Sequence, residues 1–275
     1  MRFSIITPSF RNSGWLKLCV ASVADQQVEL EHIVQDAGSD DGTLDWLRDD
    51  RRVQLHVEPD QGMYDGINRG LRKAKGEVLA YLNCDEQYLP GALASVEKFF
   101  AAHPAIDVVF AHSVAVDGAG RYLWHRKVLV PTLAHTAVCN LSVLTCATFF
   151  RRRLIDQGLF FDTKWRYYGD CEWVLRLLHH KVPMAVLPQF TSVFTHTGAN
   201  LSLATEARAE ARKFWAGAPR WNRMLRSGIL LHHRARRLLR GVYFQKPFTF
   251  DLYTVQSPHQ RITQQVDQPT FRWRW

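Results

Sequence analysis

No apolar run in this 275-residue chain reaches the roughly 20 residues that a membrane-spanning helix needs. Cysteine is scarce: five residues, Cys19, Cys84, Cys139, Cys146 and Cys171, odd in number and without a CxxC pair. That argues against a disulfide framework or a zinc site, and for a reducing compartment. No G-x-G-x-x-G follows the first apolar run, where the turn reads TPSFRNSG, and there is no Walker lysine. A dinucleotide-binding or P-loop fold is therefore disfavoured. The opening MRFSIITPSF lacks the organisation of a signal peptide and reads as a strand that begins the fold at once. Internal repeats and low-complexity segments are also missing.

Acidic residues are scarce where basic ones are dense. The net charge is +9, with near balance over residues 1–110 and the excess in Arg121–Arg153 and above all Arg208–Arg240. Such a chain suits nucleic acid, an anionic membrane or a phosphorylated ligand, and charge alone does not choose. With 47% apolar residues there is ample core material for one large domain or two small ones.

Apolar runs of strand length alternate with helical periods. Strands are expected at Arg2–Thr7, stopped by Pro8, and at Leu30–Gln35, Val53–Val57 and Glu77–Leu82. Helices are expected at Asn12–Gln27, with Asn12 or Ser13 as cap, and at Thr43–Asp49, Met63–Lys73 and Pro90–Ala101. This alternation implies an α/β fold with parallel strands and right-handed crossovers. Gly62, Gly66 and Gly70 recur every four residues and suggest close helix–sheet packing. Further on, Ile106–Ala115 and Tyr122–Val130 flank Asp117-Gly118-Ala119-Gly120 as a hairpin, and strands are expected at Leu144–Phe150 and Phe190–Thr195. Trp124, His125 and Arg126 read as solvent-facing strand residues or as acceptor contacts.

The candidate site lies where strands end. The Glu77–Leu82 run stops at Asn83-Cys84-Asp85-Glu86, and the two strands before it end near Asp36 and Asp60. Parallel strands place all three carboxylates on one edge, where open α/β sheets bind ligands. Acidic groups gathered there repel one another unless a cation or ligand hydroxyls engage them. Hard cations such as Mg²⁺ or Mn²⁺ take one or two carboxylates together with phosphate oxygens. Asp170 begins a second helical period, Cys171–His180, where the macrodipole favours an ionised carboxylate. It reads either as a general base or as an ordinary N-cap. Glu172, four residues before Arg176, is the reserve base or one half of a helix-surface ion pair. His196 is a candidate ligand or a structural histidine.

Five segments, in order and spacing, resemble glycosyltransferase family 2: IITPSFRN at 5–12, HIVQDAGSDDGT at 32–43, EPDQGMYDGINRGLRKAKGE at 58–77, YLNCDE at 81–86 and YYGDCEWVLRL at 167–177. The resemblance covers roughly the first 200 residues. It implies a GT-A (Rossmann-like) fold with a mostly parallel central sheet and flanking helices, and an inverting transfer from a nucleotide-diphosphate sugar, most simply a UDP-sugar. The acceptor would be a hydroxyl of a saccharide or lipid-linked saccharide in cell-surface polysaccharide or glycolipid synthesis. By the resemblance, Thr7 and Ser9 line the base, Asp36 bonds the base or ribose, and Asp60 closes over the nucleotide. Asn83 and Asp85 match the metal-binding Asp-x-Asp, with Asp85 as ligand of Mg²⁺ or Mn²⁺ and His196 as a further candidate, and Asp170 matches the base. Two departures stand out: Asn83 replaces the first Asp, and Gly169 stands where an acidic residue often precedes the base. The alternatives are a nucleotidyltransferase of related fold and a non-catalytic membrane- or nucleic-acid-binding module.

The expected organisation is a donor half at 1–110, an acceptor half of the same domain at 111–204, and a helical basic C-terminal extension at 205–275. From Pro219 to Val242 one amphipathic helix is expected. Trp221, Met224, Leu225, Gly228, Leu231, Ala235, Leu238 and Leu239 share a face, Arg223, Arg226, Arg234, Arg237 and Arg240 lie roughly opposite, and Ile229 and Leu230 break the pattern. This suits an anionic membrane surface or packing on the core, and no nucleic-acid motif accompanies it. The expected location is cytoplasmic, with the cytoplasmic membrane face as a peripheral site. Gln256–Trp275 reads as poorly ordered.

Overall fold

The computed structural model describes residues 1–198, 200 and 204–272. Strand β1 (Phe3–Ser9), helix α1 (Ser13–Ala24), β2 (Leu30–Asp36), α2 (Thr43–Leu47), β3 (Gln54–Val57), α3 (Met63–Lys73) and β4 (Val78–Tyr81) form the expected alternation. Then come β5 (Glu86–Tyr88), α4 (Ala92–Ala102), β6 (Val108–Asp117), β7 (Tyr122–Arg126), α5 (Leu133–Val138), β8 (Thr148–Arg151), α6 (Arg153–Asp156), α7 (Gly169–His179) and β9 (Met184–His196). Helices α8 (Thr205–Ala216), α9 (Arg220–Met224) and α10 (Arg226–Leu239) lead to the hairpin β10 (Phe248–Thr254) and β11 (Ser257–Val266).

Among the described residues the main sheet runs β3-β2-β1-β4-β8-β6-β9-β5, with β7 on β6 beyond β8. The strands β3-β2-β1-β4 are parallel. The sheet then turns mixed: β8 is antiparallel to β4 and β6, β9 is parallel to β6, and β5 is antiparallel to β9. Two apolar layers sandwich it. One joins Ile6, Ile33, Leu79 and Phe150 to Ile67 and Leu71 of α3 and to Trp173 and Leu177 of α7. The other joins Phe3, Ile5, Ala80 and Phe149 to Cys19 of α1 and Val96 and Phe100 of α4. All five cysteines are buried free thiols.

Several sequence expectations change. Strand β1 runs through Pro8, which pairs with Gln35. The Ile6 carbonyl bonds to Leu82 on the β4 side. Pro8 has the same parity, so its missing N–H faces a ladder that has already ended at Tyr81. Helix α1 is capped by no side-chain bond. The Leu144–Phe150 strand begins as a 3-10 turn at Thr145–Ala147. Two of the three repeating glycines pack as expected: a Cβ at Gly70 would meet Ile6 at 2.5 Å, and one at Gly66 would meet Asp60 at 2.8 Å. Gly62 instead turns the chain at φ +123 before α3.

Trp124 and His125 are buried, each 2% exposed, rather than solvent-facing. Phe194 and His196 cover the Trp124 ring, and Phe190 and Phe248 cover His125. The 256–275 stretch is ordered through β11. Alternate residues Phe250 and Leu252, with Val266, seal the cluster around Val114, Val116 and Val193. Gln87 exchanges two 2.9 Å hydrogen bonds with the backbone of Tyr253, and Arg261 pairs with Asp25 at 2.6 Å. Trp273 and Trp275 lie outside the described residues.

The expected single tail helix breaks at Leu225 into α9 and α10. Ile229 and Leu230, the residues that break the apolar stripe, are the ones packed against Ala137, Val138 and Ala218. The stripe itself is exposed.

Candidate active site

The carboxyl ends of β1, β2, β3 and β4 open on one cavity of about 1500 Å³. Ser9, Asp60, Asn83, Asp85, Glu86 and Asp170 line it, and so do Tyr64, Arg126 and Asn140. This is the strand-end edge where the sequence places its carboxylates.

Asp36 sits just beneath. It is fully buried, and its carboxylate accepts bonds from Ser9 Oγ (2.8 Å), Ser39 Oγ (2.8 Å) and the Gly38 (2.9 Å) and Ser39 (2.7 Å) amides. These four bonds fix the β2 loop, so that Ser9 and Ala37 present the cavity wall. Thr7 is buried off the cavity and bonds His32 Nε2 at 2.9 Å. Asp60 accepts the Gly62 amide at 2.9 Å, and burial raises its pKa.

The β4–β5 turn holds the densest charge. Asp85 and Glu86 are both raised above ordinary carboxylate values, chiefly by burial, and the Asp85 charge raises Glu86 further. Glu86 accepts the Asn83 amide at 2.8 Å, and Asp85 accepts the Asn200 side-chain amide at 3.0 Å. Among the described residues Asn83 Oδ1 is buried with no hydrogen-bond partner. An unpartnered buried acceptor beside a desolvated carboxylate is a site that a hard cation satisfies, so the residues present fit Mg²⁺ or Mn²⁺. Among the described residues no three His, Cys, Asp or Glu side chains converge on a preformed cage. Mg²⁺ does not require one when phosphate oxygens complete the shell.

Asp170 lies inside the first turn of α7, whose cap is Tyr168. Its carboxylate accepts the Cys171 amide at 2.7 Å and a bond from the Tyr64 hydroxyl, while its own amide donates to Tyr64 Oη at 3.0 Å. Burial outweighs these bonds and lifts the carboxyl to about 6. The residue is only partly buried and one side of it opens on the cavity, so solvent exposure offsets part of that desolvation. Gly169 permits the arrangement: a Cβ there would lie 2.6 Å from the Tyr64 ring. Glu172 does not line the cavity and is gripped by Arg176 through two 3.0 Å bonds. His196 packs edge-on against Trp124 and Phe194 and is not a lining residue, and burial lowers its pKa.

Sequence reasoning missed several wall residues. Tyr64 gives no signal apart from the family segment. Asn200 reaches Asp85 from 115 residues away. Helix α8 contributes Ala207, Arg208, Ala211, Arg212 and Trp215. Its alternation of small and basic residues at i, i+4 spacing is a signal that could have placed it there. The cavity therefore opposes Arg126, Arg166, Arg208 and Arg212 to its carboxylates, a balance suited to an anionic ligand carrying hydroxyls.

Comparison with known proteins gives a consistent result. Residues 4–163 match the family profile described as "Glycosyl transferase family 2". A "PGL/p-HBAD biosynthesis glycosyltransferase" of Mycobacterium tuberculosis is 29% identical over 185 residues, spanning 63% of this chain and 68% of that protein. An uncharacterised glycosyltransferase of Nostoc is 22% identical over 62% of this chain and 57% of its own length. Among solved structures, Staphylococcus aureus TarS 1–349 in complex with UDP-GlcNAc superposes with TM-score 0.62 at 19% identity, covering 87% of this chain and 73% of that one. This chain spans only 37% of the longer TarS structure. The mannosyltransferase PcManGT of Pyrobaculum calidifontis, with GDP-Man and Mn²⁺, superposes with TM-score 0.55 at 17% identity, covering 76% and 60%.

Proposed function

The chain belongs to glycosyl transferase family 2, and from that premise we propose that it moves a sugar from a nucleoside-diphosphate sugar to an acceptor hydroxyl with inversion. It is a glycosyltransferase of GT-A fold, so the nucleotidyltransferase and non-catalytic alternatives fall. The observation that carries the proposal is that one cavity brings together Asp85 beside Asn83 and a base-like Asp170 held near 6.

In this reading residues 1–110 supply the donor side and residues 111–204 the acceptor side. Ser9 and the loop fixed by Asp36 hold the base and ribose, with Thr7 supporting the wall from behind. Asp60 closes over the nucleotide, and Arg208 and Arg212 face its phosphates. Asn83 and Asp85 would hold a divalent ion, which when bound neutralises the leaving diphosphate. Asp170 accepts the acceptor's proton as the new C–O bond forms at the anomeric carbon. The bond to the diphosphate breaks with its electron pair leaving on phosphate oxygen. A base near 6 is ionised at neutral pH yet basic enough to take a proton in the transition state. Tyr64 keeps the carboxylate aimed. Glu172, tied to Arg176, and His196, packed among rings, hold supporting places in this scheme.

The donor is proposed as a UDP-sugar, and the TarS complex with UDP-GlcNAc supports that choice over the GDP-sugar of PcManGT. The acceptor is proposed as a saccharide or lipid-linked saccharide, at the cytoplasmic face. A thermal-shift panel of UDP- and GDP-sugars, each with and without Mn²⁺, tests this. At a hundredfold excess over Kd a bound donor adds about 2.7 kcal/mol, roughly 5 to 10 °C for a protein of this size. A Mn²⁺-dependent shift with UDP-sugars is expected. No shift with any nucleotide sugar refutes the proposal.

A further inference from the structure

The α9–α10 segment carries a surface that the transfer reaction does not use. Trp221, Met224, Leu225, Leu231, Leu238 and Leu239 are between 55% and 84% exposed. Phe244, at 67%, extends the patch beyond α10. Scattered exposed leucines are ordinary, but Leu231, Leu238 and Leu239 share one face of α10, and so many large exposed apolar side chains along two successive helices mark an interaction site.

The orientation of α10 is fixed by its other face. Ile229 and Leu230 pack against α5, and His233 stacks on His135 at 3.7 Å. Three arginines point the same way. Arg226 donates to the Val138 carbonyl at 3.1 Å, Arg236 donates to the Val130 carbonyl at 3.2 Å, and Arg237 lies over the Tyr243 ring. The helix is thus anchored partly through its basic face and offers its leucine stripe to solvent. This is opposite to a helix docked on a core, where the apolar stripe turns inward.

Charge identifies the partner. From Ala211 to Phe250 the chain holds ten arginines and lysines and not one Asp or Glu. Arg220, Arg223, Arg234 and Arg240 are exposed around the stripe. An apolar stripe rimmed by unopposed arginines matches the interface of an anionic bilayer, where side chains enter the acyl boundary and guanidinium groups meet lipid phosphates. No described helix is long and apolar enough to cross a membrane, so such an attachment lies on the surface.

We propose that α9, α10 and the Phe244 turn dock this enzyme on anionic phospholipid. The docking helices follow directly on α8, whose Arg208, Arg212 and Trp215 wall the active cavity. Arg226 stacks on Trp215 at 5.3 Å and so couples the docked segment to that wall. The bilayer contact is thus joined through α8 to one wall of the active cavity. It stands independently of the donor reading, because it rests on residues that do no chemistry there.

The test is co-sedimentation of the full chain with phosphatidylcholine vesicles, with and without phosphatidylglycerol, at low and high salt. Wild type binds the anionic vesicles at low salt, and binding falls as salt screens the arginines. Leu238→Asp/Leu239→Asp weakens binding by more than about tenfold, with an unchanged melting temperature because both side chains already face water. Arg234→Gln/Arg240→Gln weakens it about 25-fold, about fivefold for each arginine. No binding, or binding indifferent to lipid charge and salt, overturns the proposal. So does a leucine variant that melts early, or one that converts a dimer to a monomer without touching vesicle binding, since these mark a core-facing stripe or a self-association face.

Discussion

Replacing Asp170 with Asn separates a catalytic carboxylate from a structural one, because the two roles move stability in opposite directions. Asn keeps the shape and can still accept the Cys171 amide, now 2.7 Å from Asp170 Oδ1. It cannot take a proton, so turnover should fall by about 10² or more, with donor affinity nearly unchanged. The folded protein raises this carboxyl to about 6, above the roughly 3.9 of an unfolded chain. It therefore binds the proton more tightly than the unfolded chain does. The stability that follows is fully present below about pH 4 and is lost as pH rises through about 6. Holding the carboxylate ionised at neutral pH costs the fold at most about 3 kcal/mol, less where cavity water solvates it. Asp170→Asn removes that cost. By thermal melting the variant should gain up to several degrees at pH 8 and nothing at pH 4, while losing activity throughout. An N-terminal helix carboxylate serving stability alone would instead leave the variant less stable at pH 8. Retained turnover, or destabilisation at pH 8, refutes the assignment.

Four further outcomes are expected. The kcat/KM of wild type should drop about tenfold per pH unit below 6, and Tyr64→Phe, which removes a bond to the carboxylate, should move that limb to higher pH; an unmoved limb contradicts the Tyr64 role. Gly169→Ala should destabilise by about 1 to 3 kcal/mol in urea unfolding, since its Cβ meets the Tyr64 ring at 2.6 Å, and should reduce activity beyond what stability explains. Glu172→Gln should break the Arg176 pair, with a stability change within about 1 kcal/mol and near-normal transfer; a large loss of turnover would shift the base to Glu172. Asp85→Ala should remove Mn²⁺-dependent nucleotide binding by calorimetry while raising the melting temperature of the empty protein, because a buried carboxylate has gone; unchanged Mn²⁺ dependence contradicts the metal assignment.

The strand-end carboxylates were legible because a parallel sheet forces every carboxyl end onto one edge. The hydrophobic runs were enough to place Asp36, Asp60 and Asp85 on one edge, of which Asp60 and Asp85 line the cavity and Asp36 lies beneath it; Ser9 came from the family resemblance. The mixed half was less legible. Strand β5 is three residues long and pairs with β9 more than 100 residues later, so no local pattern marks it. Trp124 and His125 looked like a solvent-facing strand because the aromatic rings that cover them come from β9 and β10. In the tail, periodicity separated an apolar from a basic face but carried no information on which turns inward. Arginines that find backbone carbonyls and an aromatic ring decided that, against the usual preference. The hairpin β10–β11 was missed because polar composition outweighed the alternation of Phe248, Phe250 and Leu252. The α8 arginines reach the site from a helix rather than a strand end, and Asn200 from four residues beyond the carboxyl end of β9.

The central claim is that one cavity holds the donor with its diphosphate at Asn83–Asp85 and its reactive carbon toward Asp170. A crystal grown with Mn²⁺ and a non-hydrolysable UDP-sugar tests it most directly, because anomalous scattering locates the ion independently of the sugar. The account predicts a Mn²⁺ peak bonded to Asp85 and the diphosphate, with the sugar ring between the ion and the Asp170 carboxylate. An ion or nucleotide bound elsewhere, or a sugar turned away from Asp170, would contradict it.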